Sequence, residues 1–418
     1  MGGISSDRRG DSFTVSDTGS ADLSEKWAHR AALAEAAVND RHASRVWGLP
    51  RTNIAVVSWP PNSKDRLLFH WHYWWQAHYL DCLVDAVIRQ PTKARRQIVG
   101  NTMRGIRLRN HAPLRDNRYY DDKAWLALAM GRAEAVDKLP HAKQLGELRA
   151  NIFAGIDPIA GVLPWRTGET FFNVPANGPA AILMARNGRV EQAMSIVDWA
   201  FDNLLDDDGL IMDGIRMRMT GPETVTNIHP YNQGTIMGAC LEIVLALRER
   251  IGLDVDEPLE NAAPEQAETA HDIARYCARI RDLVQAVAIH GATPGGVIKW
   301  ETGDGDGGLF KGILTRYLAD VAVRLPADSA ANRAARKLSK RLVTNSSEAL
   351  WSHRLEVDGL PVFGTDWTQN ARLPHNYGSG PNSLGSAVGV IRIAERDLSV
   401  QLSAWITLEA AARVHREG

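Results

Sequence analysis

Apolar residues recur at helical spacing along most of the chain, and this regularity limits the possible folds more than any other feature of the sequence. It predicts helices over 22–41, 69–89, 92–109, 119–136, 139–155, 176–187, 189–205, 230–252, 264–289, 308–324, 328–346 and 382–415, the last expected to hold two helices that meet near Arg396. The long connections over 156–175, 206–229, 290–307 and 347–381 carry Gly, Pro, Trp and Asp. Loops of this length usually form a functional surface.

The predicted helices alternate between two kinds. One member of each pair opens with a cluster of aromatic and amide or acidic residues, and its successor is a charged, amphipathic helix of the surface type. The six openings lie at 71–76, 119–122, 173–178, 231–234, 309–312 and 376–382. In a closed ring of six helical hairpins the inner helices run parallel, so these openings would meet at one face. We therefore predict an all-α fold, an (α/α)6 barrel with long loops at the active-site face.

The length of 418 residues suits one large barrel domain, expected over 21–418 after a flexible segment over 1–20. The formal net charge of −1 disfavours nucleic acid and anionic membranes as partners. No segment approaches the roughly 18 uninterrupted apolar residues of a membrane span. Because the first residues also contain no apolar run, we expect a soluble, cytoplasmic, monomeric protein, with a previously removed leader as the alternative.

Two neighbouring carboxylates, Asp121 and Asp122, begin a strongly helical segment directly after two tyrosines. Helix capping alone is the simpler explanation, because Asp is favoured at helix N-termini. The flanking rings and the similar openings elsewhere favour a walled cleft instead. Consecutive Cα atoms are about 3.8 Å apart, and such a short separation suits double displacement at a sugar carbon better than inversion. In a water-poor cleft we expect one pKa of the pair to rise and the other to fall.

Several segments resemble glycoside hydrolase family 76, whose members are α-1,6-mannanases on an (α/α)6 barrel. They are YYDDKAW at 119–125, NVPANG at 173–178, DGI at 213–215, YNQG at 231–234, LFKGI at 309–313 with RYL at 316–318, and WQAH at 75–78 with Asp81. The resemblance implies that Asp121 is the nucleophile and Asp122 the acid/base of a retaining hydrolase. It would cleave α-1,6-linked mannose in mannan-type oligo- or polysaccharides. Internal cleavage is expected, and exo action stays open because it depends on whether loops close one end of the cleft.

Polar groups at the helix openings are candidates for binding sugar hydroxyls, and tryptophans in the long loops are candidates for stacking on sugar rings. With the aromatic residues of the family segments, the candidates are Trp75, Tyr120, Trp165, Asn177, Asp213, Tyr231, Asn232, Gln233, Trp300, Lys311 and Trp367. Each of them could instead cap a helix or pin a loop.

We expect no cofactor and no metal. His70 and His72 would lie on different sides of a helix, so they are poorly placed to share an ion. The segment GDGDGG at 303–308 resembles a calcium loop but lacks the later Glu, and we expect a flexible turn there.

Two other kinds of function stay open. A different (α/α)6 sugar enzyme, such as an epimerase or an unsaturated-uronide hydrolase, would favour His-based proton transfer or a hydration carboxylate over an adjacent Asp pair. A non-catalytic glycan-binding protein would keep the aromatic cleft, but the intact pair of aspartates argues against it.

Overall fold

The computed structural model describes residues 16–136, 141–373 and 393–418, with side chains from residue 21 onward. Long helices dominate these residues. They are α1 (Ser16–His42), α2 (Tyr73–Arg89), α3 (Lys93–Asn110), α4 (Tyr120–Val136), α5 (Ala142–Phe153), α6 (Val174–Arg186), α7 (Val190–Leu204), α8 (Pro230–Arg250), α9 (Ala267–His290), α10 (Gly307–Arg324), α11 (Ala330–Ser352) and α12 (Leu398–Arg416). Residues 1–15 of the expected flexible segment and the expected opening at 376–382 lie outside the described residues.

The even-numbered helices form a closed inner ring. Each contacts the next, from α2 through α4, α6, α8, α10 and α12, and α12 returns to α2. The odd-numbered helices pack outside this ring, with α3, α5, α7, α9, α11 and α1 against α2, α4, α6, α8, α10 and α12 respectively. The predicted (α/α)6 barrel is therefore confirmed.

Burial follows the same division. The inner helix α12 is buried along nearly its whole length, whereas the outer helix α11 buries a single stripe of side chains. The inner helices also approach one another closely. A Cβ atom on Gly312 of α10 would lie 2.6 Å from the Cα of Ser403 on α12, so only glycine allows this approach.

Because inner and outer helices alternate along the chain, the inner helices run parallel and their N-terminal ends gather at one face. The connections that lead into them contain a one-turn helix (Ser63–Arg66) and short antiparallel strands: β1 (Ala43–Ser44) with β2 (Ile54–Ala55), then β3 (Phe171–Asn173), β4 (Met212–Arg218) and β5 (Gly221–Ile228) in that order in one sheet, and β6 (Leu355–Val357) with β7 (Leu360–Val362). The ribbon of β4 and β5 occupies a connection expected to be irregular. Most of β5 is exposed, so its sequence lacks the alternation that reveals a strand.

Several inner helices fasten the preceding connection with an amide side chain at their fourth residue. In α8, Gln233 accepts a hydrogen bond from the backbone N–H of Ile211 and donates one to its carbonyl, both at 2.8 Å. The same paired bonds join Gln76 of α2 to Ala55, Asn177 of α6 to Leu163, and Gln401 of α12 to Phe363. We call these four residues the amide clamps. They close the loops that rim the N-terminal face.

The C-terminal ends of the inner helices surround a cavity of about 550 Å³ lined by arginines and carboxylates. Asp320 of α10 bonds Arg413 of α12, and Glu242 of α8 bonds both Arg186 of α6 and Arg324 of α10. Parallel helices direct the negative ends of their dipoles toward this mouth, and arginines in the last turns compensate that field. Among the described residues, no helix is both long and apolar enough to span a membrane.

Candidate active site

The pair Asp121 and Asp122 lies in the first turn of α4, at the N-terminal face of the ring. A backbone bond of 2.9 Å from the N–H of Tyr120 to the carbonyl of Trp165 ties this turn to the preceding loop. The indole of Trp165 donates to Asp121 Oδ2 at 3.0 Å, and the amide of Asn117 donates to Asp122 Oδ2 at 2.8 Å. Neutral donors thus orient both carboxyl groups.

Burial raises the pKa of both carboxyl groups. It raises the pKa of Asp121 to about 6, against the opposing hydrogen bonds from Trp165 and the backbone N–H groups of the helix start. Burial, followed by the charge of Asp121, raises the pKa of Asp122 to about 7. The expectation that one value would fall is therefore wrong, because desolvation exceeds the stabilisation that a helix N-terminus gives to a carboxylate.

A third carboxylate, Asp306, lies at the start of α10. Its Oδ1 accepts hydrogen bonds from the indoles of Trp74, at 2.9 Å, and Trp75, at 2.8 Å, both in the first turn of α2. In the ring α12 lies between α10 and α2, so this contact crosses the mouth of the barrel. The charge of Asp306 also raises the pKa of Asp121 and Asp122 on α4. The starts of α2, α4 and α10 therefore share one cleft.

The start of α8 completes this cleft together with strand β4. Asn232 Nδ2 donates to Asp213 Oδ1 at 3.3 Å. The ring of Tyr231 stacks on Phe310 of α10, with centroids 4.1 Å apart. Burial, and after it the charges of Asp213, Asp121 and Asp306, hold the pKa of the Tyr231 phenol well above its usual range. The structure thus brings Trp75, Asp213, Tyr231 and Asn232 together with the pair.

Three other predicted residues have different surroundings. Asn177 and Gln233 are amide clamps, and their hydrogen bonds go to loop backbone. The ring of Tyr120 faces the outer layer, where it packs against Gly155 and lies under the ammonium of Lys123 at 3.6 Å. The structure does not place these three side chains with the pair.

Lys311, Trp367 and Trp300 also have partners of their own. Lys311 donates to the carbonyl of Thr365, and its ammonium lies 4.6 Å from the ring centre of Trp367. Burial lowers the pKa of Lys311 to about 8. Trp367 is only 2% exposed, and Trp300 packs closely against Gly291 at the end of α9. These contacts fasten the long loops to the barrel.

Sequence reasoning missed Asp306, Trp74 and Asn117. The position of Asp306 in the sequence was the available signal. It lies in the segment 303–308, which directly precedes the opening at 309–312 and therefore leads into a predicted inner helix. Trp74 adjoins the candidate Trp75 in the same helical turn. Asn117 lies just before the pair, in the short connection between α3 and α4.

A buried carboxylate pair in an aromatic-walled cleft, at the mouth of a ring of six helical hairpins, is an arrangement that suits glycoside hydrolysis. A family model described as Glycosyl hydrolase family 76 matches residues 36–249, just over half of the chain, and the chain belongs to this family. This confirms the resemblance noted in the sequence.

Known structures agree in fold. The GH76A α-1,6-mannanase from Salegentibacter sp. HEL1_6 is 24% identical, with a TM-score of 0.72 over 93% of this chain and 99% of that one. An inactive variant of the same enzyme, with two consecutive aspartates replaced by asparagine, was solved with α-1,6-mannotriose; it has 24% identity and a TM-score of 0.71 over 93% and 99% of the chains. The Lin0763 protein from Listeria innocua is 23% identical, with a TM-score of 0.72 over 94% and 98%. No match was found among curated proteins.

Proposed function

We propose that this glycoside hydrolase is a retaining α-1,6-mannanase that cleaves mannan-type glycans internally through a covalent glycosyl-enzyme. The observation that carries the proposal is the buried carboxylate pair at the N-terminal face of the barrel, in which burial raises the pKa of both Asp121 and Asp122. The α-1,6-mannanase of similar fold supports the choice of linkage, and its inactive variant with two consecutive replaced aspartates supports the assignment of the pair.

The proposed reaction has two displacements. An oxygen of ionised Asp121 attacks the anomeric carbon, the glycosidic C–O bond breaks, and Asp122 transfers its proton to the departing oxygen. Water then attacks the same carbon, the bond to Asp121 breaks, and Asp122 takes a proton from that water. With pKa values raised to about 6 and about 7, the pair holds a single proton in a large fraction of molecules near pH 7, and we assign that proton to Asp122.

The electrostatics of the pair fit the change of role of Asp122. In the glycosyl-enzyme Asp121 is esterified and carries no charge. Because the charge of Asp121 is what raises the pKa of Asp122 after burial, that pKa falls in the intermediate. Asp122 is therefore protonated and able to donate in the first step. In the second step it is a carboxylate and can accept a proton from water.

Sugar binding is assigned to the other groups of the cleft. Asp213 offers its carboxylate to mannose hydroxyls and is oriented by the buried Asn232, and Tyr231 offers aromatic surface. Trp75 is only 2% exposed, so we assign it to supporting the cleft wall through its bond to Asp306. The indole N–H of Trp165 is engaged by Asp121, so we assign Trp165 to orienting the nucleophile.

The test uses α-1,6-mannan oligosaccharides of defined length. Proton NMR of the earliest product should show the α-anomer before mutarotation, and chromatography should show oligosaccharides rather than mannose alone. The double variant Asp121→Asn, Asp122→Asn serves as the inactive control. A first-formed β-anomer would exclude retention, release of mannose only would exclude internal cleavage, and cleavage confined to other linkages would exclude the substrate.

A further inference from the structure

The glycine-rich segment 303–308 forms the expected turn before α10, and its contacts define the position of Asp306. A Cβ atom on Gly307 would lie 1.8 Å from the carbonyl oxygen of Thr302, so the chain folds back on itself in a way that only glycine permits. The N–H of Gly305 donates to Asp397 Oδ2 at 2.9 Å, at the start of α12. The backbone that carries Asp306 is therefore held from two sides.

In this turn, Asp306 lies against two neighbouring indoles. One carboxylate oxygen accepts from both Trp74 and Trp75. Hydrogen bonds to an ionised acceptor are stronger than neutral ones. Trp75 is in turn stacked on His72 at 4.2 Å, and Trp74 lies 6.3 Å from Phe310, which stacks on Tyr231. Oδ1 of Asp306 thus holds the aromatic side chains of α2 in place. Through the contact of Trp74 with Phe310, these side chains join the aromatic side chains of α8 and α10.

Asp306 also adds negative charge to the cleft. Its charge acts on Asp121, Asp122 and the phenol of Tyr231. The ionisable groups on the surrounding elements are His72 and Tyr73 of the α2 start, Asp121, Asp122 and Lys123 of α4, Asp213 and Arg216 of β4, His229 before α8, Tyr231 of α8, Asp304 of the same segment, and Asp397 before α12. Acidic groups outnumber basic ones here, so a third carboxylate favours protonation of its neighbours.

We propose that Asp306 is a positioning residue of the hydrolase: it fixes the indoles of Trp74 and Trp75 against the substrate path and supplies a third negative charge beside Asp121 and Asp122. The inference rests on the proposed function for its kinetic consequences. The hydrogen bonds and the charge can be separated, because asparagine keeps an acceptor oxygen and loses the charge, whereas alanine loses both.

The charge predicts the direction of a pH shift. Asp306 raises the pKa of both members of the pair, so Asp306→Asn lowers both. The acid limb of the rate profile, where Asp121 ionises, and the basic limb, where Asp122 loses its proton, both move to lower pH, by roughly half a unit. Activity at pH 7 falls, while the rate at the new optimum stays close to that of the wild type.

The hydrogen bonds from Trp74 and Trp75 to Asp306 predict a further effect, on KM and kcat. Asp306→Ala should show the same pH shift and, in addition, a higher KM and a lower kcat at its optimum. Trp74→Phe removes one donor and should raise KM without moving either limb. Glu301→Gln, an exposed carboxylate earlier in the same loop, is the control for charge and should leave the profile unchanged. An Asp306→Asn enzyme with both limbs in their wild-type positions would overturn the electrostatic role.

NMR of the indole N–H groups tests the contacts without any substrate. Among the 13 tryptophans, the signals of Trp74 and Trp75 are assigned by their disappearance in the Trp74→Phe and Trp75→Phe variants. Both signals should move in Asp306→Ala, and neither should move in Glu301→Gln. Unmoved signals would overturn the positioning role. A wild-type protein that leaves α-1,6-mannan intact would instead refute the proposed function, and the NMR result would still decide the role of Asp306.

Discussion

Asp121 carries the strongest prediction for a single residue. Its carboxylate is oriented by Trp165 and partly ionised near neutral pH, so its replacement removes the group that attacks carbon. Asp121→Asn should lower kcat by at least about three orders of magnitude, roughly 4 kcal/mol of barrier. Thermal unfolding should be nearly unchanged, because the amide fits the same space. The exposed Asp116→Asn, a few residues earlier, is the matched control. Wild-type turnover by Asp121→Asn would contradict the assignment.

The loss of activity on replacing Asp122 should depend on how much the leaving group needs a proton. Natural mannosides have poor leaving groups, so Asp122→Asn should depress their hydrolysis strongly. Aryl mannosides with very acidic leaving groups should lose far less activity in the first step, because they depart without a proton. The measurement is kcat/KM for both substrate classes. Asn117→Ala serves as a second variant, which removes the orienting bond to Asp122 together with the bond from the N–H of Tyr119. Equal losses on both classes would reduce Asp122 to a structural residue.

The two raised pKa values predict a narrow, bell-shaped pH dependence. Activity should rise as Asp121 ionises near pH 6 and fall as Asp122 loses its proton near pH 7, with the two limbs belonging to the coupled pair. A profile of kcat/KM against pH in constant ionic strength tests this. A broad plateau extending to pH 9 would show that Asp122 titrates elsewhere or that another group is the acid.

The catalytic pair could be predicted from the sequence because its two members are contiguous and share one helix start. Asp306 could not, because its role depends on a contact with Trp74 and Trp75 more than two hundred residues away. Asn177 and Gln233 were predicted as sugar ligands on residue type alone. Sequence does not show whether an amide at a helix start faces a ligand or the preceding loop, since both uses satisfy the same hydrogen-bonding groups.

At the scale of secondary structure, the amide clamps attach the connecting loops to the inner helices by hydrogen bonds. Gln233→Leu would leave the N–H and carbonyl of Ile211 without partners in a buried place, at a cost of about 1–3 kcal/mol for each group. We expect a lower urea midpoint and faster hydrogen exchange at the Ile211 amide. Gln285→Leu, an exposed position on α9, is the control. Unchanged protection of the Ile211 amide would show that the clamp contributes nothing.

The helices could be predicted more fully than the connections between them. Inner helices such as α8 have long apolar sequences and outer helices such as α9 have a clear stripe, so both produce strong patterns. The ribbon β4–β5 is held by pairing with β3 and by its own hairpin, and its exposed side chains leave no pattern in the sequence. Since β4 also carries Asp213, part of the site came from an element that the sequence did not reveal.

At the scale of the whole molecule, parallel inner helices give the barrel two electrostatically different mouths. Their N-terminal ends surround the carboxylates Asp121, Asp122 and Asp306, and their C-terminal ends surround a cavity with arginines such as Arg324 and Arg413. Each arrangement sets charges of opposite sign against the helix dipoles. The same alignment that places the acidic groups of the cleft therefore requires a network of ion pairs at the other end.

That network predicts how stability depends on pH. Burial raises the pKa of Asp320, but the charges of Arg413, Arg324 and Arg186 outweigh burial and hold this pKa well below its usual range. A carboxylate with a depressed folded pKa stabilises the protein above its unfolded pKa of about 3.9, and that contribution is lost as the pH falls further.

Asp320→Asn should therefore lower the free energy of unfolding by about 1.5–3 kcal/mol at pH 7, because Arg413 and Arg324 lose one buried counter-charge and keep only Glu417 and Glu242. The difference from wild type should stay constant between pH 7 and pH 5 and shrink below about pH 4. Urea unfolding at several pH values measures both quantities. Glu223→Gln, which breaks an exposed ion pair with Arg218 on the β4–β5 ribbon, should change little at any pH. A difference for Asp320→Asn that is absent at pH 7, or that grows as the pH falls, would show that the inner-barrel ion pairs do not brace the ring.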